Sequence, residues 1–159
     1  MDYSKINMKI CKALSIGEDV RGYWSATVKD GETLFVTVDG THGYFIPKDK
    51  IIFDASRVKM LDVKLFNPLD YVKDDNRIDR TNHFVKIDSR FCRRFNGNGY
   101  RVYVNQNYLD IVEKYPIAFF QNVQEKKDMS KQPVLVAEQH GADFTPIMVA
   151  CPVFILDDK

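Results

Sequence analysis

Cysteine is scarce and scattered. Cys11, Cys92 and Cys151 are the only three in 159 residues, each in an apolar stretch far from the others. An odd number without paired spacing argues against a disulfide framework or a zinc site, and for reduced thiols used as small core residues. Long hydrophobic runs are absent too; none reaches the roughly 20 residues that a membrane-spanning helix needs. Charges within Met1–Ile10 stand where a signal peptide would carry its apolar region, and no Asn-x-Ser/Thr acceptor occurs. These absences point to a soluble, cytoplasmic chain with no membrane partner. Charge of one sign is also missing: 23 Lys and Arg face 22 Asp and Glu, and neither half departs from balance. Total charge does not provide strong capture of nucleic acid, which leaves that role to a local patch.

Catalytic signatures are missing as well. His42, His83 and His140 have no ligand partners at metal-site spacing, and neither His-x-Glu nor Cys-x-x-Cys occurs. No nucleophile elbow, glycine-rich phosphate loop or paired-carboxylate pattern is present. The sequence calls for no metal, no cofactor and no enzyme. One enzymatic arrangement can be weighed: Asp110 with Glu125-Lys126-Lys127 loosely fits the carboxylates and lysine of a Mg²⁺-dependent nuclease. It ranks last, because Asp110 falls on an expected helix and Glu125–Lys127 in an expected hairpin loop.

What is there reads as one α+β domain. The length suits a single core, and Phe and Tyr are spread along the chain. A helix comes first: Ser4 caps it, Ile6, Ile10, Ala13 and Leu14 form one stripe, and Gly17 lies past its end. Three strands follow, Tyr23–Lys29, Thr33–Val38 and His42–Ile46, with turns at Asp30-Gly31 and Asp39-Gly40. From Lys48 the pattern weakens. Ile51–Phe53 and Val58–Phe66 have strand character, while the doubly charged stretch Asp70–Arg80 reads as an exposed connector. Beyond it come Phe84–Ile87, Phe91–Phe95, a turn at Asn96-Gly97-Asn98-Gly99 and a strand Tyr100–Val104. A second helix is expected over Gln106–Lys114, stopped by Pro116, before strands Ile117–Val123, Pro133–Glu138 and Pro146–Leu156. Two halves, about 1–53 and 84–159 around a connector 54–83, each read as a helix followed by a three-strand antiparallel meander.

Several of these residues carry a family likeness. The run Val104-Asn105-Gln106-Asn107-Tyr108-Leu109-Asp110-Ile111-Val112 resembles the strand-to-helix passage in the last domain of bacterial DNA sliding clamps, the beta subunit of DNA polymerase III. Pro133-Val134-Leu135-Val136 resembles the penultimate strand there, and Met148-Val149-Ala150-Cys151-Pro152-Val153 its closing strand. The likeness covers Tyr100–Leu156 by residue and Ser4–Pro47 by element order. It implies a DNA-clamp-like fold and a non-enzymatic role in replication or in a mobile element, with double-stranded DNA and partner peptides as ligands. A bacterial clamp holds three such domains per chain and this chain has room for one, so a closed ring would need about six copies of a homo-oligomer. The runner-up is a clamp-fold interaction module or inhibitor that does not encircle DNA.

Under the clamp resemblance, Lys5, Lys9 and Lys12 sit opposite the apolar stripe and would meet DNA phosphates lining the ring. A plain solvated amphipathic helix explains them equally well. Arg90, Arg93 and Arg94 interleave with Phe91, Cys92 and Phe95, a pattern suited to phosphate contact and base stacking, and equally to a half-buried strand. Pro152, Val153 and Phe154 correspond to the closing-strand part of a clamp's peptide cleft, or simply to a core strand.

Overall fold

The computed structural model describes residues 1–27, 31–62, 67–123 and 128–155. The chain is mixed α+β and divides into two compact units, Met1–Leu69 and Asp70–Lys159.

In the first unit, helix α1 spans Ser4–Ser15 and buries Ile6, Ile10, Ala13 and Leu14, the expected stripe. Its N-terminus differs from expectation: Tyr3 holds the cap position without a side-chain bond, and Ser4 is already helical. The Asp2 carboxylate instead accepts from the Ser4 backbone N–H at 2.9 Å. The C-terminus closes as the glycine implied. Gly17 adopts φ +76°, its N–H reaches the Leu14 carbonyl at 3.3 Å, and the Glu18 N–H reaches Ala13 at 3.0 Å. That pair of bonds satisfies two carbonyls the helix would leave open.

Strands β1 (Arg21–Thr27), β2 (Gly31–Thr37) and β3 (His42–Pro47) form the antiparallel meander. Tyr23, Phe35 and Phe45 face one another across it, with ring centroids 5.3 and 5.0 Å apart. Phe35 lies so close over Gly43 that a Cβ there would sit 2.3 Å from its ring. The Asp39-Gly40 turn forms, whereas Asp30 lies outside the described residues. Ile51–Phe53 is not a strand. It is tied to α1 by buried Asn7, whose amide donates to the Lys50 carbonyl and whose Oδ1 accepts from the Ile52 N–H. Of Val58–Phe66, only Lys59–Met60 pairs, as the short β4 parallel to β1, and residues 63–66 lie outside the described ones.

The second unit holds β5 (Arg77–Ile87), β6 (Arg90–Asn96), β7 (Arg101–Asn105), α2 (Gln106–Leu109), β8 (Ile117–Phe120), β9 (Val134–His140) and β10 (Asp143–Ala150). The strands lie side by side in the order β10-β9-β8-β5-β6-β7, all antiparallel. Asp70–Arg80 is not simply an exposed connector, for β5 begins at Arg77. Buried Asn76 organises its approach: its amide donates to the Asp70 and Tyr71 carbonyls, and its Oδ1 accepts from the Val123 N–H. The second helix is shorter than Gln106–Lys114. Asn105 caps it through the Asn107 N–H, but after one turn the bonding is mixed: Val112 and Tyr115 reach back three residues, to Leu109 and Val112, and Glu113 reaches back four, to Leu109. The three-residue bonds mark tighter turns in place of regular α-helix. Both units thus contain a helix followed by a three-strand antiparallel meander, α1-β1-β2-β3 and α2-β8-β9-β10. Cys92 is a core residue as expected, whereas Cys11 and Cys151 are exposed.

Candidate nucleic-acid interface

Positive charge is not spread evenly over the second unit. Between Arg77 and Asn105, the span of β5, β6 and β7, stand seven Lys and Arg against two Asp, in a chain of net charge +1. Strand alternation then divides these cations between two faces. The β5–β6 hairpin closes through Asp88 and Ser89 alone, both with positive φ (46° and 68°), which fixes Ile87 opposite Arg90. A two-residue turn of this left-handed kind matches the natural twist of the strands. Its register puts Phe84 opposite Arg93 and Lys86 opposite Phe91, on one face.

On that face the Phe84 and Phe91 rings stack with centroids 4.9 Å apart and planes 4° from parallel. The Arg93 guanidinium lies 4.6 Å from the Phe84 centroid. Phe91 is 55 % exposed, so a flat aromatic surface stands open beside exposed Lys86. Arg93 itself is consumed internally. Its Nε donates to Gln106 Oε1 at 3.0 Å, and Nη1 is 3.2 Å from Glu113 Oε1. Glu113 also meets Arg80 at 3.5 Å. Arg93 therefore orients the aromatic stack and does not present a free charge. Arg90 and Arg94 occupy the other face; Arg90 is exposed and Arg94 half-buried. The three arginines do not act as one patch.

The lysines of α1 are likewise divided. Lys5 and Lys12 are exposed. Lys9 is not opposite the apolar stripe but at its border, folded onto β3, with Nζ 2.7 Å from His42 Nε2 and 3.3 Å from the Tyr44 hydroxyl. His42 is 7 % exposed, and its Nδ1 lies 3.3 Å from Asp39 Oδ1. Burial, reinforced by the Lys9 charge and opposed by Asp39, pushes the imidazole down to about 4. Burial also lowers Lys9, against the pull of Asp39 and Glu18. Lys9 thus donates to a neutral imidazole, a packing role absent from the sequence reading.

The supposed closing strand ends early. β10 stops at Ala150, and Pro152 and Val153 follow it as buried residues, with the Val153 N–H donating to the Tyr103 carbonyl of β7 at 2.8 Å. Of the three residues assigned to a peptide cleft, only Phe154 is open, at 51 % exposure. Asp110 accepts from Gln106 Nε2, and Glu125, Lys126 and Lys127 lie outside the described residues. Among the described residues, no group of three or more His, Cys, Asp or Glu could hold a metal ion, and no helix is long and apolar enough to cross a membrane. No protein-family model, curated protein or solved structure matches this chain.

Proposed function

We propose that this chain is a clamp-like, non-enzymatic module that associates with DNA through its β5–β6–β7 sheet. The observation that carries this reading is the local excess of cations, seven against two, in a chain whose other residues carry 16 Lys and Arg against 20 Asp and Glu. Of the seven, Arg90, Arg94 and Arg101 share one face of the sheet, and cations so placed neutralise backbone phosphates without reading bases. On the opposite face, exposed Phe91, backed by Phe84 and Arg93, offers a plane on which an unpaired base can stack. The repeated helix-and-meander order supports the resemblance to sliding clamps. We place the DNA contact on the sheet and not on the helices, since α2 is one turn long and Lys9 is taken up by His42, which leaves Lys5 and Lys12 as the exposed lysines of that set. The setting is the reducing cytoplasm, which suits three cysteines that form no disulfide among the described residues.

A second reading has one observation in its favour. Phe154 and Ile155 are neighbours, 51 % and 46 % exposed, and would anchor a partner protein if the module does not encircle DNA.

Fluorescence anisotropy with a labelled duplex at several salt concentrations tests the first reading. Binding is expected to be indifferent to sequence and to fall steeply with salt. Arg90→Glu with Arg101→Glu, both exposed and on one face, should lower the slope of log affinity against log salt by roughly 0.9 for each phosphate no longer neutralised. A double variant that binds as well as wild type would remove this surface as the interface. Mass in solution adds the second arm: a hexamer supports a ring, and a monomer or dimer that ignores duplex supports the interaction module.

A further inference from the structure

The hairpin between β6 and β7 has a chemistry distinct from the aromatic stack. It turns through Gly97–Tyr100, with Gly99 at φ +78° and the Gly97 N–H donating to the Tyr100 carbonyl at 3.0 Å. Asn96 pairs with Arg101 across the strands, and Arg94 stands two residues before Asn96, so the three share a face. Beside them opens a cavity of about 400 Å³ lined by Arg94, Asn96, Gly97, Gly99, Tyr100 and Arg101. The Tyr100 ring folds back against Gly97, where a Cβ would lie 2.0 Å from its Cζ. Only glycine leaves that space.

The two arginines here are left in a different state from Arg93. The Nε of Arg94 is buried and has no hydrogen-bond partner among the described residues. Neither Arg94 nor Arg101 forms an ion pair among them, whereas Arg93 and Arg80 share Glu113. The carboxylate that the register brings nearest is Asp79, opposite Asn96; it is exposed and is not within ion-pair distance of either arginine. A buried guanidinium N–H without an acceptor is costly.

We infer that this cavity is a binding site for a phosphate group. Two guanidinium forks, the Asn96 amide and the Tyr100 hydroxyl offer donors from two strands and a turn. That arrangement suits oxygens set around a tetrahedron better than the two coplanar oxygens of a carboxylate. A phenol keeps its proton at neutral pH, and burial raises Tyr100 further still, so its hydroxyl is a donor. The site deepens the DNA reading and rests on it for its source; a free phosphorylated small molecule has the same chemistry.

The test combines ¹H–¹⁵N NMR, titrating inorganic phosphate into the intact chain against chloride of equal ionic strength, with duplex anisotropy on the same samples. Phosphate should shift the Arg94 Nε–H and the Gly97 and Gly99 amides saturably, and chloride should not. Arg101→Gln should weaken phosphate binding by about tenfold, as expected when one charged hydrogen-bonding partner is removed. Arg101 is exposed, so this variant is expected to fold, and Lys5→Gln serves as control. If Arg101→Gln weakens duplex binding as well, the pocket grips a DNA phosphate. If phosphate binding falls while duplex binding holds, the pocket stands with a free phosphorylated ligand as its source. Absence of a phosphate-specific shift, with duplex still bound, would overturn the pocket and leave the DNA reading in place.

Discussion

Lys9 on α1 and Arg93 on β6 are both cations at the border of an apolar face, and both are drawn into packing. What surrounds them differs. Around Lys9 the helix gathers residues three and four apart, so losing the middle lysine leaves Lys5 and Lys12 as two separate charges. Around Arg93 the strand separates sequence neighbours, sending Phe91 and Arg93 to one face and Arg90 and Arg94 to the other. Arg93 is answered by a full carboxylate, Glu113, while Lys9 is answered by an imidazole that burial keeps neutral. A basic run on a helix is therefore weakened as a whole when one member is buried. On a strand, the same loss leaves the opposite face untouched.

The contrast can be broken first through pH. His42 is a base whose folded pKa, about 4, lies below its unfolded value near 6.5, so the unfolded chain takes the proton first. Its contribution is intact above about pH 6.5 and is lost as pH falls toward 4, by up to about 3 kcal/mol over that window. Urea unfolding at a series of pH values should show this loss, and His42→Phe should flatten it. An equally steep loss in the variant would assign the effect to other groups. The next largest effect belongs to Arg93. Glu113→Ala removes its charged partner and should cost about 2 kcal/mol in the same assay; a cost under about 0.5 kcal/mol, the usual surface value, would make Arg93 a solvated charge. Smallest is Lys9→Met, which replaces a half-buried cation by an apolar chain of similar length. It should change stability by less than about 1 kcal/mol, leave duplex affinity as it is, and raise the pH at which His42 titrates. A marked loss of duplex affinity would restore Lys9 to the DNA surface.

Much of the local fold is legible in the residues. The Ile6–Leu14 stripe, Gly17 as terminator and the three-strand meander after α1 all follow from period and turn chemistry. Three of the misreadings involve partners distant in sequence or a break in strand pairing. Asp74, Asp75, Arg77, Asp79 and Arg80 hide the start of a strand, because its first two residues, Arg77 and Ile78, pair with β8 and its approach is held by Asn76 through Val123. Ile51–Phe53 has strand composition, yet its N–H bond goes to Asn7 on the helix. β10 begins at Asp143, with a register irregularity between Pro146 and Met148, so the apolar run Ile147–Val153 outlasts the strand. The phosphate pocket did have a signal: a four-residue turn after Asn96 puts Arg101 opposite it and Arg94 on the same face. Reading arginines by adjacency, Arg90 with Arg93 and Arg94, hid that face.

The Asp88-Ser89 turn bears on how this surface can change over time. With two residues between Ile87 and Arg90 the connection has no slack. One inserted residue would have to bulge out or slide β6 by a single position, and such a slide exchanges the faces of every side chain along it. Phe91 and Arg93 would then point where Arg94 points now. Glycine or asparagine at position 88 or 89 should be accepted readily, since both tolerate positive φ. Related chains that keep this surface should therefore vary in the identity of the two turn residues and hold their number constant.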